Sequence, residues 1–294
     1  MSERWLVIGA FAATYIIWGS TYMFNYWAID TIPPFFMSGM RFFVAGLLLY
    51  AWGIYKKEPI PTTKEWGNTA LIGNLFLSIG TGLAVWALQW LDTGVTSLLV
   101  AFDPLLIMLL LWLLVGQKPR GMAIIGAFVA IAGMSLLIDQ PQFTDSEGAK
   151  WGLMAMAVAL FSWAIASIYV SRIKLPESRL RSSAMQMITG GGALLLYSIF
   201  SGEAFTFSWS KLSLSSTLSW VYLVFLGSII AFSSFNYLLA KVSPEKVATN
   251  TYVNPVVALF LGWTFNNEII TSQSILASAV LITGVFFINS NMKK

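Results

Sequence analysis

The stretch GVTSLLVAFDPLLIMLLLWLLV, residues 94–115, decides the class of fold. It is apolar throughout except for Asp103 and a few small polar residues. It is also as long as the ~20 residues a helix needs to cross a bilayer. A charged side chain deep in such a span costs at least ~2.5–3.5 kcal/mol on insertion scales, so an intramembrane acid is read first as functional. The competing reading of Asp103 is structural: a pair with Arg41, or a protonated acid bonded to a backbone carbonyl. Pro104 follows directly, removing one helix hydrogen bond and freeing the carbonyl of Val100 beside the acid.

The pattern recurs later in the chain. Ala101-Phe102-Asp103-Pro104 matches Tyr252-Val253-Asn254-Pro255 without a gap, and the same register sets Trp112 on Trp263, Gln117 on Glu268 and Trp86 on Tyr237. Near the start of each half, Ile17-Trp18-Gly19 echoes Ser162-Trp163-Ala164. The chain therefore reads as two five-helix repeats, residues 1–139 and 150–294, divided at Asp139–Lys150. Five spans is an odd number, so the second half enters the membrane from the opposite side. Inverted repeats of this kind place the substrate site near the midplane, between the halves.

Ten apolar runs are readable: Trp5–Ala28, Phe35–Tyr55, Trp66–Leu91, Gly94–Val115, Met122–Ile138, Trp151–Ile173, Ala184–Phe200, Leu218–Ala240, Val247–Phe265 and Ser272–Asn289. The fold expected is an all-α membrane protein of ten transmembrane helices. Composition agrees. Of 294 residues 57% are hydrophobic and 10% charged, with a mean hydropathy of +0.74, whereas soluble domains carry about 25% charged residues. The first run exceeds the ~7–15 apolar residues of a signal peptide. It also contains Trp18, Tyr22 and Asn25, as a retained span would.

Of the 17 Lys and Arg residues, all but Lys150, Lys211 and Arg41 fall in loops or termini on one side of the ten-span arrangement. The positive-inside rule puts that side, with both termini, in the cytoplasm. The net charge of +4 thus reflects membrane orientation, and nucleic acid is not an expected partner. The chain has no Cys and no His. That excludes thiol catalysis, His-based acyl transfer and His-ligated zinc. With Asn254 as the counterpart of Asp103, a two-aspartate protease site is absent too. No enzyme activity, cofactor or metal is expected.

At these residues the chain resembles the EamA-type transporters of the drug/metabolite transporter superfamily, within them the YedA-like branch. The resemblance lies in Tyr15–Tyr22, Gly39-Met40-Arg41-Phe42, Phe225–Ala231 and Tyr252–Ala258, and it runs over essentially the whole chain. It implies ten helices, two inverted repeats and export or exchange of metabolites or drugs. The chain departs from the family pattern at Gly116-Gln117, where Gly-Glu is common, and at Asp103. The widespread Arg41 of that family suggests a structural anchor, against its alternative as a two-pronged receptor for a substrate carboxylate.

Tyr15, Trp18, Tyr22 and Asn25 share one helical face. Lipid provides no hydrophobic drive to hide Tyr and Asn, so this face is expected to line a cavity. Gly82, Trp86 and Gln89, then Trp163 and Ser167, Ser233 and Tyr237, and Asn250 and Asn254 extend the same reading. The chamber suits a neutral, zwitterionic or cationic solute. The function expected is secondary active transport of small organic metabolites, such as amino acids or related compounds, by alternating access. Alternatives are a facilitative or channel-like permease and efflux of aromatic cations. Expected partners are the small-molecule substrate, protons as the coupling ion, the lipid bilayer and a second copy in a homodimer. Inner-membrane localisation follows.

Overall fold

The structure, a computed structural model, describes residues 3–119, 121–138, 147–242, 247 and 250–290. Among these residues every regular element is a helix. In chain order they are α1 (Glu3–Ile29), α2 (Pro34–Tyr55), α3 (Thr63–Ala87), α4 (Thr93–Val115), α5 (Gly121–Ile138), α6 (Glu147–Tyr169), α7 (Arg179–Phe200), α8 (Leu214–Lys241), α9 (Asn250–Phe265) and α10 (Ser272–Ser290). Seven helices, α1–α4 and α6–α8, are long and apolar enough to cross a membrane; α5, α9 and α10 carry shorter apolar stretches. Large apolar side chains point outward, among them Leu113, Phe128, Phe200 and Ile275. So broad an exposed apolar surface suits lipid, not water. Most of the connection Asp139–Lys150, including Ser146, lies outside the described residues.

Helix starts that hydropathy cannot see are set by polar caps. Thr62 and Glu65 form a capping box ahead of α3, with Thr62 N donating to Glu65 Oε2 at 2.7 Å. α7 begins at Arg179, ahead of the apolar run from Ala184. Ser178 Oγ accepts from Arg181 N at 3.2 Å, and the buried Arg181 guanidinium is paired to Glu58 at 3.1 Å.

α4 departs from the continuous span expected. It breaks at Ala101-Phe102, where Phe102 N bonds three residues back to Leu99 O (3.1 Å), and restarts at Asp103. Pro104 thus occupies the first turn of a helix, where a missing N–H costs least. α9, by contrast, runs through Pro255. Three stretches are π-helical: Ala13–Ile17 in α1, Asn74–Thr81 in α3 and Leu223–Phe232 in α8.

Two antiparallel crossings hold the bundle. Along α2 and α7, Gly39 packs on Leu195, Gly46 on Ile188 and Gly191 on Phe43; a Cβ added at Gly191 would sit 2.5 Å from the Phe43 backbone nitrogen. Of the run Gly190-Gly191-Gly192, Gly190 packs on Gly73 and Gly191 on Phe43, while Gly192 has room for a Cβ. Along α5 and α10, Gly133 packs on Leu281 and Gly284 on Ala130. Each end of the α2–α7 pair is tied by a glutamate lying just past one helix and bound to the start of the other. Glu58 accepts from Ser178 Oγ (2.9 Å) and Arg181 Nε; Glu203 accepts from Phe35 N (2.8 Å) and Phe36 N (3.4 Å). Burial raises the Glu203 carboxyl above its ordinary range, against the lowering effect of those two N–H bonds.

Candidate functional site

α1, α2, α3, α4, α6, α8 and α9 enclose a cavity of about 770 Å3. Trp18, Tyr22, Asn25, Arg41, Asp103, Trp163, Asn250 and Asn254, all anticipated from the sequence, line it. Trp18 and Trp163, the two members of the sequence echo, meet edge to face at 6.1 Å. Phe235 lies 4.9 Å from Trp18, and Phe76 backs Trp163 at 4.6 Å. These rings make one wall.

Arg41 is buried. Its Nε donates to Ser228 Oγ at 2.8 Å and Nη1 to Asn25 Oδ1 at 3.0 Å, while the guanidinium lies 4.7 Å over the Phe42 ring. Ser228 can take this role because the π-helical stretch directs its own hydroxyl to Leu223 O, five residues back, at 3.0 Å. Asn25 thus positions Arg41. Asp103 is also buried, and its Oδ1 has no hydrogen-bond partner. Among the described residues the ion pairs are Arg181–Glu58 and Lys241–Glu3, so Arg41 and Asp103 pair neither with each other nor with a third group.

Asn254 does different work from its counterpart Asp103. With its amide nitrogen turned to helix α1, it donates to Tyr15 O at 3.0 Å and Thr14 O at 3.1 Å. Both carbonyls belong to the π-helical Ala13–Ile17 stretch, whose widened turn leaves acceptors for a side chain to satisfy. Asn254 is a tie between α9 and α1.

Tyr15, Gly82, Trp86, Gln89, Ser233 and Tyr237, expected on the same faces, do not line the cavity. Trp86 stacks on Phe35 at 6.3 Å and meets Trp90 at 4.4 Å. The face it shares with Gly82 packs on α7, because Gly82 admits the Leu194 side chain, and Gln89 is exposed. The cavity face of α3 is instead Leu77, Gly80, Thr81 and Ala84. Tyr237 packs against the neighbouring core, and α8 presents Phe232, Phe235, Asn236 and Leu239. Both helices carry π-helical turns, which rotate the face away from 3.6-residue spacing. The repeat register offered one missed signal: setting Trp18 on Trp163 also sets Glu58 on Glu203 and Arg41 on Gln186.

At one end the cavity reaches the α6–α7 connection, where Ser171, Arg172, Lys174 and Arg179 line it. The opposite end is tied shut. Trp27 Nε1 donates to Asn266 Oδ1 (2.6 Å), and Ser216 Oγ to Trp27 O (2.7 Å). Glu268 accepts from Thr93 N (2.9 Å), Thr93 Oγ1 (2.6 Å) and Gly94 N (3.1 Å), capping the start of α4. Asn267, in the left-handed region at φ 55°, ends α9 so that Glu268 N reaches back to Gly262 O (3.2 Å). Gly116 (φ 74°) ends α4 in the same way, with Gln117 N bonded to Leu111 O (3.2 Å). Asp92 sits beside this tie, and burial, then the Glu268 charge, hold its carboxyl above the usual range. Among the described residues no cluster of acids suits a metal ion.

Comparison with known proteins fits this architecture. The EamA-like transporter family matches residues 5–138 and 150–290. The inner membrane transporter YedA of Escherichia coli (strain K12) is 35% identical over 96% of this chain and 90% of its own length. The transporter YoaV of Bacillus subtilis (strain 168) is 24% identical over 96% and 95%. A solved crystal structure, 19% identical and covering 98% of both chains, superposes with a TM-score of 0.68 and so shares the fold. The chain belongs to the EamA-like transporter family.

Proposed function

We propose that the chain is a ten-span secondary transporter of small organic metabolites in a bacterial inner membrane, working by alternating access between two inverted five-helix repeats. The observation that carries this reading is the cavity: open at one end, tied at the other, with Asp103 and Arg41 buried in its wall and without ion-pair partners among the described residues. A buried guanidinium and a buried acid without ion-pair partners are costly in a static structure and suit a site that a solute or ion completes.

The inverted repeat draws support from reciprocity. In the register that sets Trp18 on Trp163, the contact of Gly46 with Ile188 becomes that of Gly191 with Phe43. The register that sets Asp103 on Asn254 likewise turns Gly133–Leu281 into Gly284–Ala130. The glutamates Glu58 and Glu203, and the helix ends at Gly116 and Asn267, correspond in the same way. Such exchange is what a two-fold axis in the membrane plane produces. In this reading the distribution of Lys and Arg turns the Arg172–Arg179 end toward the cytoplasm, which would make the cavity inward-open and the Glu268 tie periplasmic.

Asp103 is the coupling group of this proposal. A carboxylate exposed alternately to the two sides carries a proton when solute-free and releases it on the other face. Solute counterflow in proteoliposomes is the test. Saturable exchange, accelerated by solute on the opposite side, supports a transporter; unsaturable conductance without such acceleration would establish a channel.

A further inference from the structure

We propose that the cavity selects solutes bearing a carboxylate, which enter carboxylate first; the best-fitting class is a zwitterion with its carboxylate on Arg41 and its cationic end on Asp103. This rests on the transporter reading above and names its substrate class.

The charges of the wall carry the argument. The charged lining residues are Arg41, Arg172, Lys174, Arg179 and a single acid, Asp103. Three cations stand at the mouth and one deep inside. Clefts lined by one sign of charge between low-dielectric walls concentrate ions of the opposite sign. A purely cationic solute meets like charge at the mouth and again at Arg41, which opposes its binding. Efflux of aromatic cations, an alternative open at the level of sequence, is therefore disfavoured by the wall itself.

Arg41 is set up as a receptor. A guanidinium has five donors in a rigid plane. Neutral partners on two different helices, Asn25 and Ser228, hold that plane through Nη1 and Nε, while no hydrogen bond joins Nη2 to a described residue. Gly227 lies against Nη2, where an added Cβ would stand 2.9 Å away. Neutral partners orient the group and leave its charge unanswered, the arrangement that favours a carboxylate arriving two-pronged. Asp103 faces the same cavity with Oδ1 unpartnered, and the two charges are not within the 4.0 Å of an ion pair. A dipolar solute answers both at once, with Trp18, Trp163 and Phe235 against its apolar body and its ammonium within reach of cation–π contact.

The experiment uses the full chain, purified and in proteoliposomes, with matched triplets that keep the body and remove one end. These are leucine, 4-methylpentanoate and isopentylamine, with alanine- and phenylalanine-based triplets alongside. Thermal shift and inhibition of counterflow are read together. For the body that fits, loss of the carboxylate should weaken binding about a hundredfold and loss of the ammonium about tenfold, as expected for charge-assisted contacts. Arg41→Gln should erase the carboxylate preference and Asp103→Asn the ammonium preference. Arg41 is buried, so a second variant guards against misfolding. Arg172→Gln with Arg179→Gln, at exposed positions, should raise the KM of carboxylates and flatten its dependence on salt. An amine binding as well as its amino acid would overturn the proposal. So would counterflow of other solutes in the face of no binding by any triplet, which leaves the transporter reading standing. Absence of exchange for every solute would sink the transporter reading first.

Discussion

Glu268 is the residue whose loss should open the closed end. Its carboxylate accepts three bonds from the first turn of α4, at 2.9, 2.6 and 3.1 Å. Hydrogen bonds to charged groups contribute ~1.5–3 kcal/mol each when buried, and charge at a helix start adds ~0.3–1 kcal/mol. Glu268 is half-exposed, so solvent screening discounts the sum. Glu268→Ala should cost the closed end about 2–4 kcal/mol, a shift of roughly 30- to 1000-fold in its opening equilibrium. Glu268→Gln, which keeps one acceptor oxygen, should fall between. The chain has no cysteine, so Ser97→Cys installs a single thiol in the cavity wall. With a membrane-impermeant maleimide added to intact cells, that thiol should label slowly in the parent and at least about tenfold faster with Glu268→Ala. Equal labelling rates in two well-folded proteins would refute the reasoning and leave Glu268 as an ordinary cap.

Asp92→Asn should stabilise the chain near neutral pH. A carboxyl raised in the folded state favours folding fully below its unfolded pKa, and that contribution is lost as pH climbs through the raised value; thermal melts of the two proteins should therefore converge in acid and separate toward neutrality. Gly191→Ala should cost about 1–3 kcal/mol, since its Cβ meets the Phe43 backbone, whereas Gly192→Ala, 3.8 Å from the Phe43 ring, should melt like the parent. For topology, cysteines at Ser210 and Lys57, both exposed, should label from outside intact cells and only after permeabilisation, respectively; the reverse pattern would invert the orientation. Asp103→Asn should retain binding of solutes that lack a cationic end yet lose transport driven by a pH gradient, and unchanged gradient-driven uptake would end its coupling role.

Seven of the ten expected spans were legible because a bilayer demands long apolar runs, while α5, α9 and α10 carry shorter ones; the cavity face of Trp18, Tyr22 and Asn25 was legible because lipid gives polar side chains no place to hide. The faces of α3 and α8 were not. Period-3.6 reasoning carries Gly82 to Trp86 and Ser233 to Tyr237 correctly along one stripe but cannot say which stripe meets the cavity, and π-helical turns reset the phase before it. The break in α4 was half visible: Pro104 announced a lost hydrogen bond, yet Pro255 announces the same and α9 stays continuous. Glu58, Glu203 and Glu268 sat in loops, where acids look like solvated surface. Only pairing in the proposed repeat register sets Glu58 and Glu203 at matching positions, each bound to the start of the opposite helix.

What the halves share and what they do not divide the labour. In the proposed register the glycine crossings, the glutamate ties and the left-handed helix ends at Gly116 and Asn267 occur twice. In the alternating-access proposal these are the parts that must fit in both orientations of the cavity. The charged groups of its interior occur once. Arg41 corresponds to Gln186, which is buried and donates to Ser182 Oγ at 3.0 Å. Asp103 corresponds to Asn254, whose amide is spent on the carbonyls of Thr14 and Tyr15. Where the second half carries the neutral amides Gln186 and Asn254, the first half carries a cation and an acid without ion-pair partners among the described residues. A duplicated frame that folds on shared contacts needs no such asymmetry. Under the proposed transport function, the breaks in symmetry at Arg41 and Asp103 mark the chemistry of the cargo, and the scaffold around them marks the motion.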